Sequence, residues 1–336
     1  MINQGDISVA VPTRRRPDYL RACLQSIFDQ TLLPSEVIVS EDGEDDETKQ
    51  VVERFRERHG RDVQIVHVVN ETPIGQLANR NQAFSLATRE YVAMLDDDDA
   101  WGREFLEKTF AALSAREDCG FCSSNHGFMN SSGEPLEEQS RQFLIYSGRD
   151  RLVSGAVDRE VFLTTLENKA CIYSLQFTLF RREVLKRAGF FASFGGLVPD
   201  YTLMLVLGAR REKAIFIGDD LGYARVHEGQ QTKRRLENSL SKVECLAEIH
   251  MIYRHSLVES ESRTLKKQYI IASVIECAIA YGHEKRRREA VRCAAQAFRL
   301  GFGFPPPRRL AVLAALLIGM TAGKPIAGGQ AQPAAE

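Results

Sequence analysis

Short apolar runs and amphipathic segments alternate along the first hundred residues of the chain. Four runs rich in aliphatic residues predict strands, and these lie at 7–11, 37–39, 63–69 and 91–95. Between them, apolar side chains recur at three- and four-residue spacing and predict helices that begin near Pro17, Glu47 and Gln76. Strands and helices that alternate in this way form a parallel sheet with right-handed crossovers. The pattern therefore predicts an α/β fold whose ligand site lies at the carboxyl ends of the strands.

The composition limits the classes of protein to which the chain could belong. Its 336 residues suffice for one large domain with an appendage, and its formal net charge of -1 gives no global field that would attract nucleic acid. Seven cysteines are scattered without a framework, which is typical of reduced thiols in a cytosolic protein. The polar N-terminus indicates no signal peptide, and the longest apolar stretch, 310–320, is too short to span a bilayer. These features predict a cytoplasmic protein.

Four consecutive aspartates, at 96–99, directly follow the fourth predicted strand. Neighbouring carboxylates repel each other by a few kcal/mol per close pair at a protein surface. A buried strand that delivers four of them to one point therefore suggests a neutralising ligand, and a divalent cation prefers such hard oxygen donors. A solvated acidic turn is the alternative interpretation. The preceding apolar strand and the aromatic Trp101 that follows favour a site.

The later part of the chain is less regular. A polar stretch at 130–141 is typical of a loop, whereas apolar residues recur at helical spacing after about residue 236. The segment from 323 onward is rich in Gly, Pro and Ala and predicts a disordered tail.

Several motifs in the first half, taken as a set, resemble the family 2 glycosyltransferases of the GT-A fold. They are the strand end Val9-Ala10-Val11-Pro12-Thr13, the acidic turn Ser40-Glu41-Asp42-Gly43-Glu44, Asn70 with Gly75, Arg80-Asn81, and the block from Glu90 to Asp99. Their order and spacing cover about residues 6–110. The resemblance implies a Rossmann-like, mainly parallel sheet flanked by helices. It also implies a nucleotide-sugar-binding half at 1–100, an acceptor-binding half at 101–235 and a helical extension at 236–322, before the tail at 323–336.

By the same resemblance, a nucleotide-diphosphate sugar binds at the sheet edge, and a UDP-sugar is favoured. Pro12 and Thr13 would line the base and ribose pocket, and Asp42 would accept a hydrogen bond from the base, as a carboxylate can. An Asx turn with Gly43 is the alternative for Asp42. The full set expected to bind the donor is Pro12, Thr13, Arg15, Glu41, Asp42, Gly75, Arg80, Asp96 and Asp97. For Arg80, which would lie near the diphosphate, an ordinary surface helix arginine is the alternative.

The family's metal motif is Asp-any-Asp, and the resemblance implies Mg2+ or Mn2+ as cofactor. Asp96 and Asp98 have this spacing, since alternate residues of an extended segment point the same way. Asp97 and Asp99 have the same spacing, so the run is ambiguous. We expect Asp98 to bind the metal directly and Asp96 to face the ribose or the metal. His227 would contact metal or phosphate, and an exposed loop histidine is the alternative.

Asp200 is the candidate general base. The resemblance implies an inverting, single-displacement transfer in which a carboxylate in this region accepts the proton of the acceptor hydroxyl. A helix N-cap is the alternative, because the residues after Asp200 have a helical pattern and Asp is a good capping residue. The glutamate that many relatives carry beside this aspartate is absent.

The implied function is a hexosyltransferase of cell-surface glycan or polysaccharide synthesis with a glycan or lipid-linked acceptor. The basic run at 285–288 and the arginine-flanked apolar stretch at 305–320 favour peripheral contact with the inner face of the membrane, although a last core helix would show the same pattern. A catalytically inactive sugar-nucleotide-binding scaffold is the alternative function. A nucleotidyltransferase is disfavoured, because no Gly-rich phosphate loop or lysine motif lies near the first strand.

Overall fold

The structure, a computed structural model, describes residues 4–168, 170–190, 198–227 and 235–271. Contacts divide the chain into two compact units, Met1–Gln230 and Gln231–Glu336. The described strands, all in the first unit, are β1 (Gln4–Thr13), β2 (Leu33–Asp42), β3 (Gln64–Asn70), β4 (Tyr91–Met94), β5 (Ala100–Trp101), β6 (Phe121–Met129), β7 (Val157–Asp158), β8 (Thr178–Arg181) and β9 (Ala214–Arg225). The helices are α1 (Pro17–Phe28), α2 (Asp46–His59), α3 (Gln76–Ser85), α4 (Phe105–Ser114), α5 (Glu137–Ser147), α6 (Val161–Glu167), α7 (Arg182–Ala188), α8 (Pro199–Ala209), α9 (Arg235–Tyr253) and α10 (Glu259–Ile271).

The strands form one mixed sheet in the order β3-β2-β1-β4-β8-β6-β9-β5, with β7 paired to β9. The long pairings, β1 with β2, β2 with β3 and β6 with β9, are parallel, and so is the pairing of β1 with β4. β8 is antiparallel to both β4 and β6. The predicted α/β fold with a mainly parallel, helix-flanked sheet is confirmed, and β4 lies near the middle of that sheet.

Two apolar clusters cover the two faces of the sheet. Successive residues of β1 point to opposite faces, so Val9 belongs to one cluster and Ala10 to the other. The first cluster includes Leu24 of α1, and the second includes Phe84 of α3 and Leu203 of α8. This layered packing fixes the strand ends, and with them the loops at the carboxyl edge of the sheet.

Local sequence signals explain where the early helices begin. Pro17 occupies the first turn of α1, where its missing N–H costs no hydrogen bond. Asp45 caps α2 by accepting a hydrogen bond from the Thr48 backbone N–H at 3.0 Å. The polar stretch predicted as a loop is partly wrong, because α5 begins at Glu137. There, Glu138 accepts hydrogen bonds from Arg141 and Gln142 one turn later, so a polar segment is helical on an exposed surface.

In the second unit, α9 and α10 contact each other, and Leu246 and Leu265 are buried. The rest of the predicted helical extension, the tail at 323–336 and the basic and apolar segments at 285–288 and 305–320 lie outside the described residues. The predicted boundaries at 100, 235 and 322 stay predictions. None of the helices in the described ranges combines the length and apolar character that crossing a membrane requires.

Candidate active site

The four aspartates leave β4 as a tight turn. The backbone N–H of Asp99 donates to the carbonyl of Asp96 at 3.1 Å, because the chain turns between the end of β4 and the start of β5. The expected extended conformation of this segment is therefore wrong. The turn still gathers the carboxylates: Asp96, Asp98 and Asp99 each offer an oxygen, and the three oxygens lie within 4.8 Å of one another.

Asp97 points away from this group, toward the loop that follows β1. Its carboxylate accepts hydrogen bonds from the Thr13 hydroxyl at 2.7 Å and from the Arg14 backbone N–H at 3.4 Å. The side chain is 8% exposed. Burial, reinforced by the charge of Asp98, raises the pKa of Asp97 to about 7. Thr13 and Asp97 meet because β1 and β4 are parallel neighbours that end at the same edge.

Arg16 completes this side of the cluster and was not predicted from the sequence. Its guanidinium lies 3.3 Å from Asp97 and 2.9 Å from Asp98, so one cation serves two carboxylates. The neighbouring Arg15, a predicted site residue, is exposed and has a positive φ of 51°, which is unusual for a residue with a Cβ. The structure thus places Arg15 at the rim of the site and Arg16 inside it.

His227 and Arg225 approach the turn from the end of β9. His227 Nε2 lies 2.9 Å from a carboxylate oxygen of Asp98, so His227 belongs to the cluster and is not an exposed loop histidine. The Arg225 backbone N–H donates to Asp99 at 2.8 Å, and its side-chain Nε donates to the Asp98 carbonyl at 2.8 Å. Burial and the neighbouring Asp98 raise the pKa of Asp99 well above its usual value.

Arg80 links the turn to the candidate general base. Its guanidinium donates to Asp96 at 2.5 Å and lies 3.8 Å from Asp200. Arg80 is only 5% exposed, so the alternative of a surface helix arginine is wrong. Burial alone would lower the pKa of Arg80, but Asp96 and Asp200 outweigh it and raise that pKa. The guanidinium is therefore a fixed positive charge between two carboxylates.

Asp200 lies in the first turn of α8, with Val198 at the N-cap position. The alternative that Asp200 itself is the N-cap is therefore wrong. The backbone N–H of Leu175 donates to its carboxylate, and burial raises its pKa while Arg80 opposes the rise. A carboxylate with a raised pKa, held by the backbone N–H groups of Leu175 and of Asp200 itself and lying beside one guanidinium, is suited to accept a proton.

Gln176 is the second residue of this group that the sequence analysis missed. It belongs to a short 3-10 helix, Leu175–Phe177, and its side-chain amide donates to Asp96 at 2.6 Å. Asp96 thus receives one donor from α3, through Arg80, and one from the 3-10 helix. No local motif identifies Gln176, because its contact joins residues 80 positions apart.

Asp42 and Gly75 lie together at the end of β2, beside the loop before α3. The Asp42 carboxylate accepts hydrogen bonds from the backbone N–H groups of Ile74 at 2.6 Å and Gly75 at 3.1 Å. Gly75 has a φ of 92°, a conformation that glycine adopts without strain. Asp42 therefore anchors this loop, and a carboxylate with two oxygens retains further acceptor capacity toward a ligand. Pro12, also predicted, is buried in β1 opposite Ser40 of β2.

Glu41 lies apart from the acidic turn. Its side chain is 1% exposed, and one oxygen lies 2.8 Å from His67 Nε2. Its other oxygen, Oε1, has no hydrogen-bond partner among the described residues. Burial, with the acidic residues that follow at 44–46, raises the pKa of Glu41 to about 7. Burial also lowers the pKa of His67.

The donor set of the turn fits a divalent cation. Asp96, Asp98 and Asp99 supply hard carboxylate oxygens, the ligands that Mg2+ and Mn2+ prefer. Arg16 and Arg80 compensate part of the negative charge. Together with His227 they orient these carboxylates, as hydrogen-bonding groups around metal ligands commonly do. The geometry thus combines a turn whose oxygens could hold a cation with a partly buried carboxylate, Asp200, close to it.

Comparison with known proteins gives a family and several relatives. The family model described as Glycosyl transferase family 2 matches residues 8–189. The putative teichuronic acid biosynthesis glycosyltransferase TuaG of Bacillus subtilis is 31% identical over 133 residues, covering 39% of this chain and 51% of that protein. The GalNAc(5)-diNAcBac-PP-undecaprenol beta-1,3-glucosyltransferase of Campylobacter jejuni is 29% identical over 212 residues, covering 63% of this chain and 62% of that protein. The chain therefore spans between about half and two thirds of the length of these two relatives.

Solved structures share the fold. The mannosyltransferase PcManGT of Pyrobaculum calidifontis, in complex with GDP-Man and Mn2+, has a TM-score of 0.58 at 19% identity and covers 95% of this chain and 81% of its own. S. aureus TarS 1-349 in complex with UDP-GlcNAc has a TM-score of 0.64 at 17% identity, over 94% of this chain and 88% of its own. At these identities the likeness shows the fold alone.

Proposed function

Because the chain belongs to glycosyl transferase family 2, we propose that it transfers a sugar from a nucleotide-diphosphate donor to an acceptor hydroxyl, with inversion and with a divalent metal. The observation that carries this proposal is the three-carboxylate turn joined through Arg80 to Asp200. This arrangement supports the proposal, because one guanidinium lies between a carboxylate of the turn and the candidate base.

Asp98 and Asp96, with Asp99, are the residues that would hold Mg2+ or Mn2+. When bound, the metal neutralises charge that develops on the departing diphosphate. His227 and Arg16 hold the Asp98 carboxylate from two sides, so its orientation is fixed before any ligand arrives. The acidic turn and the Mn2+ complex of PcManGT support this assignment.

Asp200 accepts the proton of the attacking hydroxyl in the proposed reaction. Burial raises its pKa and so strengthens it as a base, while the charge of Arg80 opposes that rise and favours the ionised carboxylate. Since Arg80 also binds Asp96, one side chain sets the position of the base relative to the acidic turn. With Asp200 as the base opposite the leaving group, the transfer would be a single displacement, which inverts the anomeric carbon.

The proposed donor pocket lies along the ends of β1 and β2. Pro12, Thr13 and Asp97 would face the nucleoside, and Asp42 with the Gly75 loop would form its far wall. Glu41 stays a proposed part of this wall through its contact with His67. A UDP-sugar is the favoured donor, supported by the UDP-GlcNAc complex of TarS. The proposed acceptor is a glycan or a lipid-linked glycan at the inner face of the membrane, supported by the undecaprenol-linked substrate in the name of the Campylobacter relative.

Calorimetric titration of nucleotide sugars, followed by an assay for nucleotide release, tests the proposal. We expect binding to weaken at least about tenfold when EDTA replaces Mn2+, a loss of about 1.4 kcal/mol. Asp98→Asn should show the same loss with Mn2+ present, and Asp200→Asn should bind the donor normally but release no nucleotide. The control is Asp150→Asn, which changes an exposed carboxylate.

Three outcomes would contradict parts of this proposal. Equal donor binding with and without chelator would rule out the metal role of the acidic turn. Full activity of Asp200→Asn would remove Asp200 as the base. Binding without any turnover by the wild-type protein would favour the non-catalytic sugar-nucleotide-binding scaffold.

A further inference from the structure

Gln176 has a rigidly held backbone beside the acidic turn. Its carbonyl accepts a hydrogen bond from the Trp101 indole Nε1 at 2.6 Å, and the preceding residue, Leu175, donates its backbone N–H to Asp200. Ser174, one residue earlier, accepts a hydrogen bond from the buried Arg149 guanidinium at 2.6 Å. Three consecutive residues are therefore bonded to different elements of the fold. These bonds hold the Gln176 side chain in position before a ligand binds.

The side chain of Gln176 has hydrogen-bonding groups that the protein does not use. Its contact with Asp96 at 2.6 Å takes one of the two amide N–H groups. Among the described residues, no other hydrogen bond to this side chain is present, and an amide also offers a carbonyl oxygen as acceptor. Gln176 is only partly buried, so these groups can reach a ligand.

The position of Gln176 matches that of the transferred sugar. In a single displacement, the anomeric carbon lies between the departing diphosphate and the attacking hydroxyl. The proposed function places the first near Asp96 and the second near Asp200. Two described side chains connect these carboxylates: Arg80, which contacts both, and Gln176, which contacts Asp96 from a turn whose backbone contacts Asp200.

The charges around this position select the class of sugar. Asp96 and Asp200 are carboxylates, and Arg80 is committed to both of them. A uronate would add a third carboxylate that Asp96 and Asp200 repel, whereas a neutral amide suits hydroxyl or N-acetyl groups.

We propose that Gln176 recognises a hydroxyl or N-acetyl group of a neutral hexosyl or N-acetylhexosaminyl donor and so determines which sugar is transferred. This inference rests on the proposed function, because it assigns the sugar subsite of the same active site. Gln176 is then a specificity-determining residue, in addition to its contact with Asp96.

The test compares wild-type protein with Gln176→Met, which keeps the length of the side chain but removes its amide. Titrations with Mn2+ measure the affinity for UDP, UDP-glucose, UDP-galactose, UDP-N-acetylglucosamine, UDP-N-acetylgalactosamine and UDP-glucuronate. The same titrations with GDP and GDP-sugars, including GDP-mannose, test donors whose base is guanine. The quantity of interest is the affinity for each nucleotide sugar divided by the affinity for its nucleoside diphosphate. Gln50→Met, on the exposed part of α2, is the matched control.

We expect the wild-type ratio to be highest for one neutral sugar and lower for its epimer and for the uronate. Gln176→Met should reduce the highest ratio by about 5- to 10-fold, which corresponds to about 1 to 1.4 kcal/mol. Its affinity for the free nucleoside diphosphate should change by less than about twofold. Gln50→Met should leave every ratio unchanged.

Three results would overturn the inference. In the first, Gln176→Met lowers the affinity for the nucleoside diphosphate and for every sugar donor by the same factor, which would mean that Gln176 acts only through Asp96. In the second, the wild-type selectivity persists in the variant, and in the third the uronate is the preferred donor. Failure of the wild-type protein to bind any nucleotide sugar would instead contradict the proposed function. Should Gln176→Met be unfolded by circular dichroism, Gln176→Asn, which keeps the amide but shortens its reach, should show the same loss of selectivity.

Discussion

Replacing Glu41 by Gln should stabilise the protein in a strongly pH-dependent way. In the folded protein, burial raises the pKa of Glu41 from 4.5 to about 7. As the pH rises between these values, the unfolded chain loses its proton first, so the wild-type protein becomes less stable. One pKa unit corresponds to about 1.36 kcal/mol, and the full displacement therefore costs about 3 kcal/mol above pH 7. Below the unfolded pKa this cost vanishes.

Glu41→Gln removes the titration but keeps the shape. The amide of Gln can donate to His67 Nε2, and burial, which lowers the pKa of His67, favours the neutral ring that accepts this bond. The free energy of unfolding, measured with urea, should exceed the wild-type value by about 1 kcal/mol or less at pH 5 and by about 3 kcal/mol at pH 8. Glu57→Gln, at an exposed position of α2, is the control and should show no such trend.

The reasoning fails if the difference between Glu41→Gln and wild type is constant across this pH range. That result would mean that Glu41 ionises alike in the folded and unfolded chains. A variant that is less stable than wild type at pH 8 would also refute it, since the ionised carboxylate would then be a net stabilising partner of His67.

Three further outcomes follow from the contacts around the turn. Arg80→Met leaves Asp96 and Asp200 without their shared cation, and urea unfolding should show a loss of about 3 to 5 kcal/mol, typical of breaking a buried ion pair; an unchanged stability would contradict the pairing. Thr13→Val removes the hydroxyl donor to Asp97 and should cost about 1.5 to 3 kcal/mol by the same measurement, the range for a bond to a charged group. Adding Mn2+ to chelator-treated protein should raise the melting temperature, since a cation that binds only the folded state stabilises it, and no rise would count against the cation site.

Much of the fold follows from local patterns. The strand and helix periods of the first hundred residues predict the parallel pairing of β1, β2, β3 and β4, because each signal lies within one element. The start of helix α5 escapes such a prediction, since its residues up to Gln142 are polar and its stabilising pairs are exposed. Sequence alone also gives the wrong conformation for the aspartate run. Spacing suggests an extended segment, whereas the short connection between β4 and β5 demands a turn.

The candidate site is predictable only in part, for a physical reason. Asp96 and Asp98 can be predicted from the sequence, because a run of four carboxylates rarely follows a buried strand. Arg16 and Gln176 do not, since an arginine or glutamine acquires its role only when the fold brings a distant carboxylate to it. Arg80 resembles any helix arginine until its burial between Asp96 and Asp200 is known.

The central place of β4 in the sheet has a consequence for how the chain is synthesised. On the ribosome, the carboxylates of the turn emerge long before two of their partners, Arg225 and His227, since Arg225 follows Asp99 by 126 positions. A nascent or truncated chain that stops before β8 and β9 carries an exposed strand edge next to a concentrated negative charge. Only a chain that has finished β9 can therefore assemble the complete centre.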